Sequence, residues 1–369
     1  MIAAGTDMSE AQELEQLRQS IDAIDQQIHE LINQRAQCAQ SVAEVKQKYA
    51  APGESVVFYR PEREAQVLRK VMARNQGPLS DESVARLFRE IMSQCLALEE
   101  PVKVAYLGPE GTFTQQAAIK HFGHAVVCQS QMSIADVFRD VESGCVQYGV
   151  VPVENSTEGV VTHTLDGFFE SNLHICGEVT LRIHHHFMAR GDAPITRIFS
   201  HAQSLGQCRL WLDQHYPGVE RVAVSSNAEA ARLASETPGT AAIAGEVAAE
   251  LYQLEIRHAK IEDRPDNTTR FLIVGQQETL PSGDDKTSVM VSSRNQPGAL
   301  YLLLEPFRQS GISLTRIETR PSRSGTWNYV FFIDFEGHRD DADIAPLLEQ
   351  LQGLAADFKW LGSYPQAAL

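Results

Sequence analysis

The sequence predicts three consecutive regions of different fold class: an all-α region, a two-lobed α/β region and a ferredoxin-like α+β region. Residues 9–100 carry apolar residues at helical spacing. From Val102 to about Val274, strand-like and helix-like runs alternate, which is typical of parallel sheets covered by helices. From Ser288 the order is βαββαβ. We therefore expect domains at residues 1–100, 101–280 and 281–369, with a Gly/Ser/Asp-rich linker at Gln276–Lys286.

Composition excludes several classes of protein. The chain has 369 residues, 43% of them hydrophobic, and a net charge of −16, so it can form large cores but is unsuited to nucleic acid or anionic membranes. Its six cysteines show no C-x-x-C spacing, which favours reduced thiols. No apolar stretch approaches the roughly 20 residues of a membrane span, and the N-terminus lacks signal-peptide features. We expect a cytoplasmic protein.

The sequence of the first region predicts three helices. Ser9 is a candidate cap for a long helix that ends near Lys48, before the breaker Ala51-Pro52-Gly53. A second helix is expected from Pro61 to before Gly77, and a third from Ser80 to about Glu99.

One charged residue interrupts the apolar seam of the long helix. The seam repeats every three or four residues, and Arg35 is its only charged member. A desolvated guanidinium is costly unless an anion meets it. Either an acid of the protein pairs with Arg35 and fixes helix register, or an anionic ligand does. The seam comprises Leu14, Leu17, Ile21, Ile24, Ile28, Leu31, Arg35, Cys38, Val42, Val45 and Tyr49.

Helix geometry favours a shared site between two chains. Arg35 and Lys46 are three turns apart on one face, with Cα atoms roughly 16 Å apart. Arg18 lies roughly 25 Å from Arg35 along the axis, so it can join that site only from an antiparallel second chain. We therefore expect an intertwined homodimer or a higher homo-oligomer.

Residues 14–99 resemble the all-helical chorismate mutases. The matching string is Leu17-Arg18, Arg35, Lys46, Arg63-Glu64 and Glu99. The resemblance implies that the cations hold the two carboxylates of chorismate during its rearrangement to prephenate, and that positioning and electrostatics do the catalysis. The predicted substrate-binding set is Arg18, Arg35, Lys46, Arg63, Glu64, Cys95 and Glu99, with Arg35, Lys46 and Glu99 catalytic. Cys95 is included because it lies four residues before Glu99, on the same helix face.

Two residues depart from that family. Arg60 occupies a position where some relatives have an acid, and Glu99 replaces a glutamine. A carboxylate cannot donate to the ether oxygen of chorismate, whereas a neutral carboxyl group can. We therefore expect Glu99 to act in its protonated form and mutase activity to fall as pH rises through neutrality.

In the middle region, polar clusters adjoin predicted strands. Strands are expected at Val102–Leu107, Tyr148–Val153, Ile195–Ser200, Val222–Ser225, Thr240–Ala244 and Phe271–Val274. Ligands of open α/β sheets bind at strand ends. Each cluster alone is more often a helix cap, but together they indicate a cleft. The clusters are Gly108–Phe113, Glu154–Thr157, Ser200–Ser204 and Asn267–Phe271.

The middle region predicts neither a metal nor an organic cofactor. His184-His185-His186 cannot all chelate one ion from a strand, because successive side chains point to opposite faces. The sequence of this region shows no H-E-x-x-H, G-x-G-x-x-G or G-x-S-x-G motif.

Residues 102–275 resemble prephenate dehydratase, a family with two lobes similar to periplasmic binding proteins. The resemblance lies in Val104–Phe113, Val153–Ser156, Ser200–Gln203 and Thr269–Phe271. It implies that Thr269 holds or protonates the departing hydroxyl of prephenate while CO₂ leaves, and that Arg270 holds a substrate carboxylate. The implied pocket comprises Thr112, Asn155, Ser156, Ser200, His201, Gln203, Thr269, Arg270 and Phe271.

The last region resembles the ACT regulatory domain. Gly298-Ala299-Leu300 opens its first helix, and Glu318-Thr319-Arg320-Pro321 ends its second strand, with Thr319 in place of the family's serine. The resemblance implies feedback inhibition by phenylalanine bound between two such domains. A dimerisation module without a ligand is the alternative.

Together these observations predict a bifunctional enzyme that converts chorismate to prephenate and then to phenylpyruvate. The competing hypothesis is a non-catalytic sensor of anions or amino acids, built from two lobes, an ACT domain and a helical dimeriser.

Overall fold

The computed structural model describes residues 9–51, 56–293, 296–321 and 329–368. The chain begins with three helices, α1 (Glu10–Tyr49), α2 (Pro61–Arg74) and α3 (Asp81–Ala97), as predicted. The Ser9 backbone N–H donates to Gln12 Oε1 over 3.0 Å, as at a capped helix start. Pro52 and Gly53 of the expected break lie outside the described residues.

The apolar seam of α1 remains largely exposed within the described chain. Leu17 and Leu31 expose 60% and 62% of their surface, and Ala43 is the one buried residue that α1 contributes. A surface helix normally covers such a stripe against a neighbour. The helix therefore has an apolar face that the described part of its own chain does not cover.

The middle region forms two sheets. The first has strand order β2-β1-β3-β11-β5, with β4 beside β3, and the second has order β10-β6-β9-β7-β8. In chain order its elements are β1 (Lys103–Leu107), α4 (Phe113–Phe122), β2 (Val127–Gln131), α5 (Ile134–Glu142), β3 (Tyr148–Asn155), β4 (Gly159–Val160), α6 (Thr162–Glu170), β5 (His174–Arg182), β6 (His186–Ala189), β7 (Arg197–His201), α7 (Ala202–Gln207), α8 (Arg209–His215), β8 (Glu220–Val224), α9 (Asn227–Glu236), β9 (Thr240–Ala244), α10 (Glu246–Tyr252), β10 (Glu255–His258) and β11 (Thr268–Gly275).

The prediction of purely parallel sheets was wrong, because both sheets are mixed. Strand β1 is parallel to β2 and β3, but β11 is antiparallel to β3 and β5. In the second sheet, β7 is parallel to β8 and β9, whereas β6 is antiparallel to β9 and β10. The chain leaves the first lobe at the end of β5 and returns at the start of β11, so these two strands run in opposite directions.

The last region is the predicted βαββαβ unit. It comprises β12 (Asp285–Ser292), α11 (Ala299–Ser310), β13 (Leu314–Pro321), β14 (Tyr329–Glu336), α12 (Ile344–Leu354) and β15 (Asp357–Pro365). The antiparallel sheet has order β13-β14-β12-β15, and both helices pack on it through Leu303, Phe307, Leu347 and Leu351.

Close contacts join the three regions. Strand β15 packs on β5 so tightly that a Cβ built on Gly362 would lie 2.3 Å from the Ile175 carbonyl oxygen. From α2, Arg69 donates to the Asp284 carbonyl over 2.7 Å and to that of Gln366 over 3.4 Å. Arg69 thus binds the backbone at both the start and the end of the last domain.

Candidate active sites

The helical region brings three of the predicted mutase residues together. Burial raises the pKa of Glu99, and the positive charges of Lys46 and Arg35 oppose that rise, so the three side chains lie within electrostatic reach. Burial also lowers the pKa of Lys46. Lys46 Nζ donates to the Val57 and Phe58 carbonyls over 3.2 and 3.3 Å. The cluster holds two cations and a carboxyl group whose pKa is raised.

The other predicted mutase residues lie elsewhere in the single chain. Arg18 is exposed on α1, seventeen residues before Arg35, and Arg63 is exposed on α2. Cys95 is buried. Glu64 does not face Arg35: its Oε1 accepts from Arg89 Nε over 3.2 Å, and Arg89 also donates to the Lys120 carbonyl over 2.8 Å. Glu64 therefore belongs to the contact between the helices and the first lobe.

The middle region has a cleft of about 420 Å³ between its two lobes. Five of the nine residues predicted for the dehydratase pocket line it: Asn155, His201, Gln203, Thr269 and Phe271. Thr269 on β11 lies directly opposite Asn155 on β3 in the strand register. The two side chains meet at the cleft, where Asn155 Nδ2 lies 2.8 Å from Thr269 Oγ1.

Backbone amides fix the direction of that hydrogen bond. The backbone N–H groups of Thr157 and Glu158 both donate to Asn155 Oδ1, each over 2.9 Å. The Asn155 amide nitrogen must therefore be the donor to Thr269 Oγ1. Since Thr269 accepts this bond, its own hydroxyl proton is available to a group in the cleft.

The same polarity continues through a chain of amides. Asn155 Nδ2 also donates to Asn267 Oδ1 over 2.8 Å, and Asn267 Nδ2 donates to Gln207 Oε1 over 3.1 Å. His185 Nε2 lies 2.8 Å from the same Gln207 oxygen, so it must carry the proton. Burial lowers the pKa of His185, which keeps the ring neutral. The Gln207 amide nitrogen is left as a donor for the cleft.

Three predicted pocket residues support the walls instead. Ser200 is fully buried, with Oγ 2.9 Å from Asn227 Oδ1 and 2.8 Å from the Ile243 carbonyl. Ser156 Oγ accepts from the Thr268 backbone N–H over 2.9 Å. Thr112 caps α4 and donates to the Leu107 carbonyl over 3.1 Å. These hydroxyls hold the strand ends and helix starts that form the cleft.

Arg270 is not in the cleft, contrary to the expectation that it holds a substrate carboxylate. Successive strand residues face opposite sides of a sheet, so Arg270 points away from the side that carries Thr269. Its guanidinium is bound by Glu178 and Asp334 at 2.7 and 2.5 Å and by the Tyr364 hydroxyl at 2.9 Å. Two of these partners belong to the last domain.

The described lining of the cleft contains no lysine or arginine. Its donors are amides, hydroxyls and the imidazoles of His185 and His201, together with the N-terminal residues of α4 and α9, Phe113 and Asn227. Free N–H groups at a helix start attract anions. One such helix start comes from each lobe, so a molecule with two carboxylates can meet both.

The predicted pocket set left out four residues that line the cleft: Phe113 and Asn267, which lie in the predicted polar clusters, and His185 and Gln207, which do not. One signal was available, because Gln203 and Gln207 are four residues apart and share a helix face. The three consecutive histidines have separate environments: Glu262 lies 2.7 Å from His184 Nδ1, while His185 and His186 are buried. Among the described residues, no three or more histidines, cysteines or acids are grouped as metal ligands.

The regulatory motifs lie at two places in the last domain. Gly298 caps α11 in a left-handed conformation with φ +77°, and Ala299 lines a small cavity of about 90 Å³. Glu318, Thr319, Arg320 and Pro321 end the edge strand β13. Arg320 pairs with Asp166 of α6 at 2.7 Å, so this motif contacts the first lobe of the cleft.

Across the described helices, none combines the length and apolar character needed to cross a bilayer.

Family models match all three regions of the chain: chorismate mutase type II over residues 17–100, prephenate dehydratase over 104–279 and the ACT domain over 287–353.

Relatives match the chain along nearly its whole length. The bifunctional chorismate mutase/prephenate dehydratase of Pseudomonas aeruginosa is 61% identical, covering 98% of this chain and 100% of the relative. That of Neisseria gonorrhoeae is 54% identical, covering 95% and 97%. A crystal structure of prephenate dehydratase from Arthrobacter aurescens in complex with L-Phe matches with a TM-score of 0.66 and 35% identity, covering 72% of this chain and 90% of that one. The chain therefore belongs to the bifunctional chorismate mutase/prephenate dehydratase family.

Proposed function

We propose that the chain rearranges chorismate to prephenate in its helical region and converts prephenate to phenylpyruvate in the cleft, with phenylalanine as feedback inhibitor. The observation that carries the second step is the bond from Asn155 to Thr269, which leaves the threonine proton for the substrate.

In the dehydratase step, Thr269 donates a hydrogen bond to the departing hydroxyl of prephenate. The bond to the ring carboxylate breaks, its electron pair enters the ring and expels the hydroxyl, and the proton that completes the water molecule is supplied in net terms by solvent. The two substrate carboxylates are held by neutral donors, at the starts of α4 and α9 and by Gln203 and Gln207. Neutral donors suit this reaction, because a cation on the ring carboxylate would stabilise its negative charge and oppose the flow of the C–C bonding electrons into the ring as CO₂ leaves. Aromatisation of the ring provides the driving force, so positioning and one hydrogen-bond donor suffice.

In the mutase step, Arg35 and Lys46 hold the carboxylates of chorismate, and protonated Glu99 donates to the ether oxygen. The raised pKa of the half-buried Glu99 carboxyl favours that protonated form. Arg18 and Arg63 complete the site, with Arg18 coming from a second chain. The exposed seam of α1 supports this homodimer, because it offers a long apolar face for another copy.

In the last domain, phenylalanine binds near Gly298, where a glycine lets a ligand approach the backbone. We place the protein in the cytoplasm, since its six cysteines form no disulfide.

Two spectroscopic measurements on the full chain test this function. Chorismate absorbance should disappear and phenylpyruvate should form, and phenylalanine should slow the second step. Thr269→Ala should lose phenylpyruvate formation by at least about a hundredfold while chorismate is still consumed. Phenylpyruvate formation by Thr269→Ala at the normal rate would remove Thr269 from the mechanism. A chain that consumes neither chorismate nor prephenate but binds phenylalanine would favour the non-catalytic sensor.

A further inference from the structure

The residue that follows Thr269 connects the cleft to the last domain. Arg270 is on the opposite face of β11, and its guanidinium is bound by Glu178 of β5, Asp334 of β14 and Tyr364 of β15. Glu178 also accepts from Lys286 Nζ over 2.7 Å, and Asp334 from the Ser288 hydroxyl over 2.6 Å. One side chain thus joins the sheet that carries Thr269 to the sheet of the ACT domain.

A second ion pair makes the same connection behind Asn155. Glu154 precedes Asn155 on β3, and its Oε2 lies 3.2 Å from Arg316 Nε on β13. Arg270 and Glu154 are directly opposed in the strand register, next to the opposed pair Thr269 and Asn155. Asn155 is therefore preceded by Glu154, and Thr269 is followed by Arg270, and each of these neighbours forms an ion pair with the ACT domain.

Most of these charges are largely removed from water, whereas the Glu154 side chain is 43% exposed. The side chains of Glu178 and Asp334 expose 3% and 7% of their surface, and that of Arg316 exposes 9%. Arg270, Lys286 and Arg316 balance Glu178, Asp334 and Glu154 in charge. A balanced, buried network of this kind tolerates only arrangements in which every charge keeps a partner. A displacement of β13 or β14 must therefore move Arg270 and Glu154 with it.

We propose that Arg270 is a positioning residue that conveys the arrangement of the ACT sheet to Thr269, with the Arg316–Glu154 pair as a second connection to Asn155. This inference rests on the proposed function and specifies how its regulation reaches the reaction. Phenylalanine favours one arrangement of the ACT domain, the network passes that arrangement to β11 and β3, and the Thr269 hydroxyl is turned away from its productive direction. The substrate-binding donors at α4 and α9 do not belong to the network, so binding of prephenate is affected less than turnover.

The test compares three full-length variants with the wild type. Asp334→Asn keeps the side-chain shape but removes the charge that binds Arg270, and Arg316→Met removes the second connection. Glu278→Gln is the matched control, because Glu278 pairs with Arg339 of the ACT domain at 2.5 Å on a more exposed surface and does not adjoin Thr269 or Asn155. The measurements are kcat and KM for prephenate with and without phenylalanine, the rate of chorismate consumption, and phenylalanine binding by calorimetry.

For Asp334→Asn we expect kcat for prephenate to fall roughly tenfold with KM within about twofold. Phenylalanine should still bind, but the factor by which it inhibits should fall to less than half. Arg316→Met should change both quantities in the same direction but less, because its Nε and Nη2 make no hydrogen bond. Glu278→Gln should behave as the wild type, and chorismate consumption should be unchanged in all three.

Full inhibition by phenylalanine in both Asp334→Asn and Arg316→Met would overturn the proposal, as would a rise in KM with kcat unchanged. If Asp334→Asn does not fold, Arg316→Met alone decides by the same criteria. Failure of the proposed function is distinguishable, because then the wild type itself would lack dehydration or inhibition.

Discussion

Asn155 donates a hydrogen bond to Thr269 across two adjacent strands, over 2.8 Å, and two backbone N–H groups determine which of the two is the donor. Threonine is a poor acid in water, so its use in dehydration depends on the direction of its proton rather than on a shifted pKa. The asparagine supplies that direction.

Reversing this bond should stop the dehydratase. Asn155→Asp keeps the shape and the acceptor for the backbone N–H groups, but presents a carboxylate oxygen to Thr269 Oγ1. The threonine proton would then point to the aspartate, so we expect kcat for prephenate to fall by about a hundredfold or more. Steady-state kinetics would show it. Asn155→Ala is the companion variant, and it should lose less activity because it leaves the threonine free to rotate. Equal activity in Asn155→Asp and wild type would contradict the assigned polarity.

Mutase activity should depend on the protonation of Glu99. Burial raises the pKa of this carboxyl, so the protonated, active form persists to higher pH than for an ordinary glutamate and is lost as pH rises through the raised value. Glu99→Gln cannot ionise, and its mutase rate should be flat over that range. The pH profile of chorismate consumption measures this, with the exposed neighbour variant Glu100→Gln as control. An unchanged profile in Glu99→Gln would remove this role.

A charge on the exposed seam should separate the chains. Ile24 is 54% exposed on α1, and Ile24→Glu should lower the molecular mass in sedimentation and abolish mutase turnover, while dehydration continues. Gln26→Glu adds the same charge about 200° around the helix and should do neither. Retention of full mutase activity by a monomeric Ile24→Glu would show that Arg18 of a second chain is not needed.

Contact between β15 and β5 should depend on Gly362. Its φ is +150°, and a Cβ there would lie 2.3 Å from the Ile175 carbonyl oxygen. Gly362→Ala should destabilise the chain by about 1–3 kcal/mol, the usual cost of overpacking, and lower its thermal unfolding temperature. Gly353→Ala provides the contrast, because nothing lies within 4 Å of a Cβ there, and alanine favours a helix. Scanning calorimetry of both variants checks the difference, and an equal unfolding temperature would mean that the two sheets can separate freely.

The elements that the sequence predicted well were those with a local signal. The three long helices and the βαββαβ order follow from periodicity and breakers, and Thr269 and Asn155 from strand-end motifs. The mixed direction of the sheets had no local signal, because it depends on where the chain crosses between lobes. The prediction also left out strands β2, β4, β5, β6 and β10, although β5 is one of the two strands that pair with β11.

The Thr269–Phe271 motif contains residues with different roles: Thr269 lines the cleft, whereas Arg270 contacts the last domain. Strand alternation alone predicts that Thr269 and Arg270 face opposite sides, but the motif suggested that both bind substrate. His185 is the reverse case: from the sequence it was considered only as a metal ligand, a role that strand alternation argued against, whereas in the structure its Nε2 orients Gln207. The partners of Arg270 and His185 do not follow from sequence spacing, because each lies more than twenty residues away.

The hydrogen bonds from Arg69 to both ends of the ACT domain affect whether the chain can be cut into separate domains. Asp284 and Gln366 offer their carbonyl oxygens to one guanidinium from the opposite end of the chain. Cutting the polypeptide before residue 101 would leave those oxygens to water and uncover the side of His121 that packs on Tyr59. The mutase and dehydratase regions are therefore joined by packing as well as by the polypeptide. A dehydratase separated from the helices would need substitutions on the surface that the helices cover.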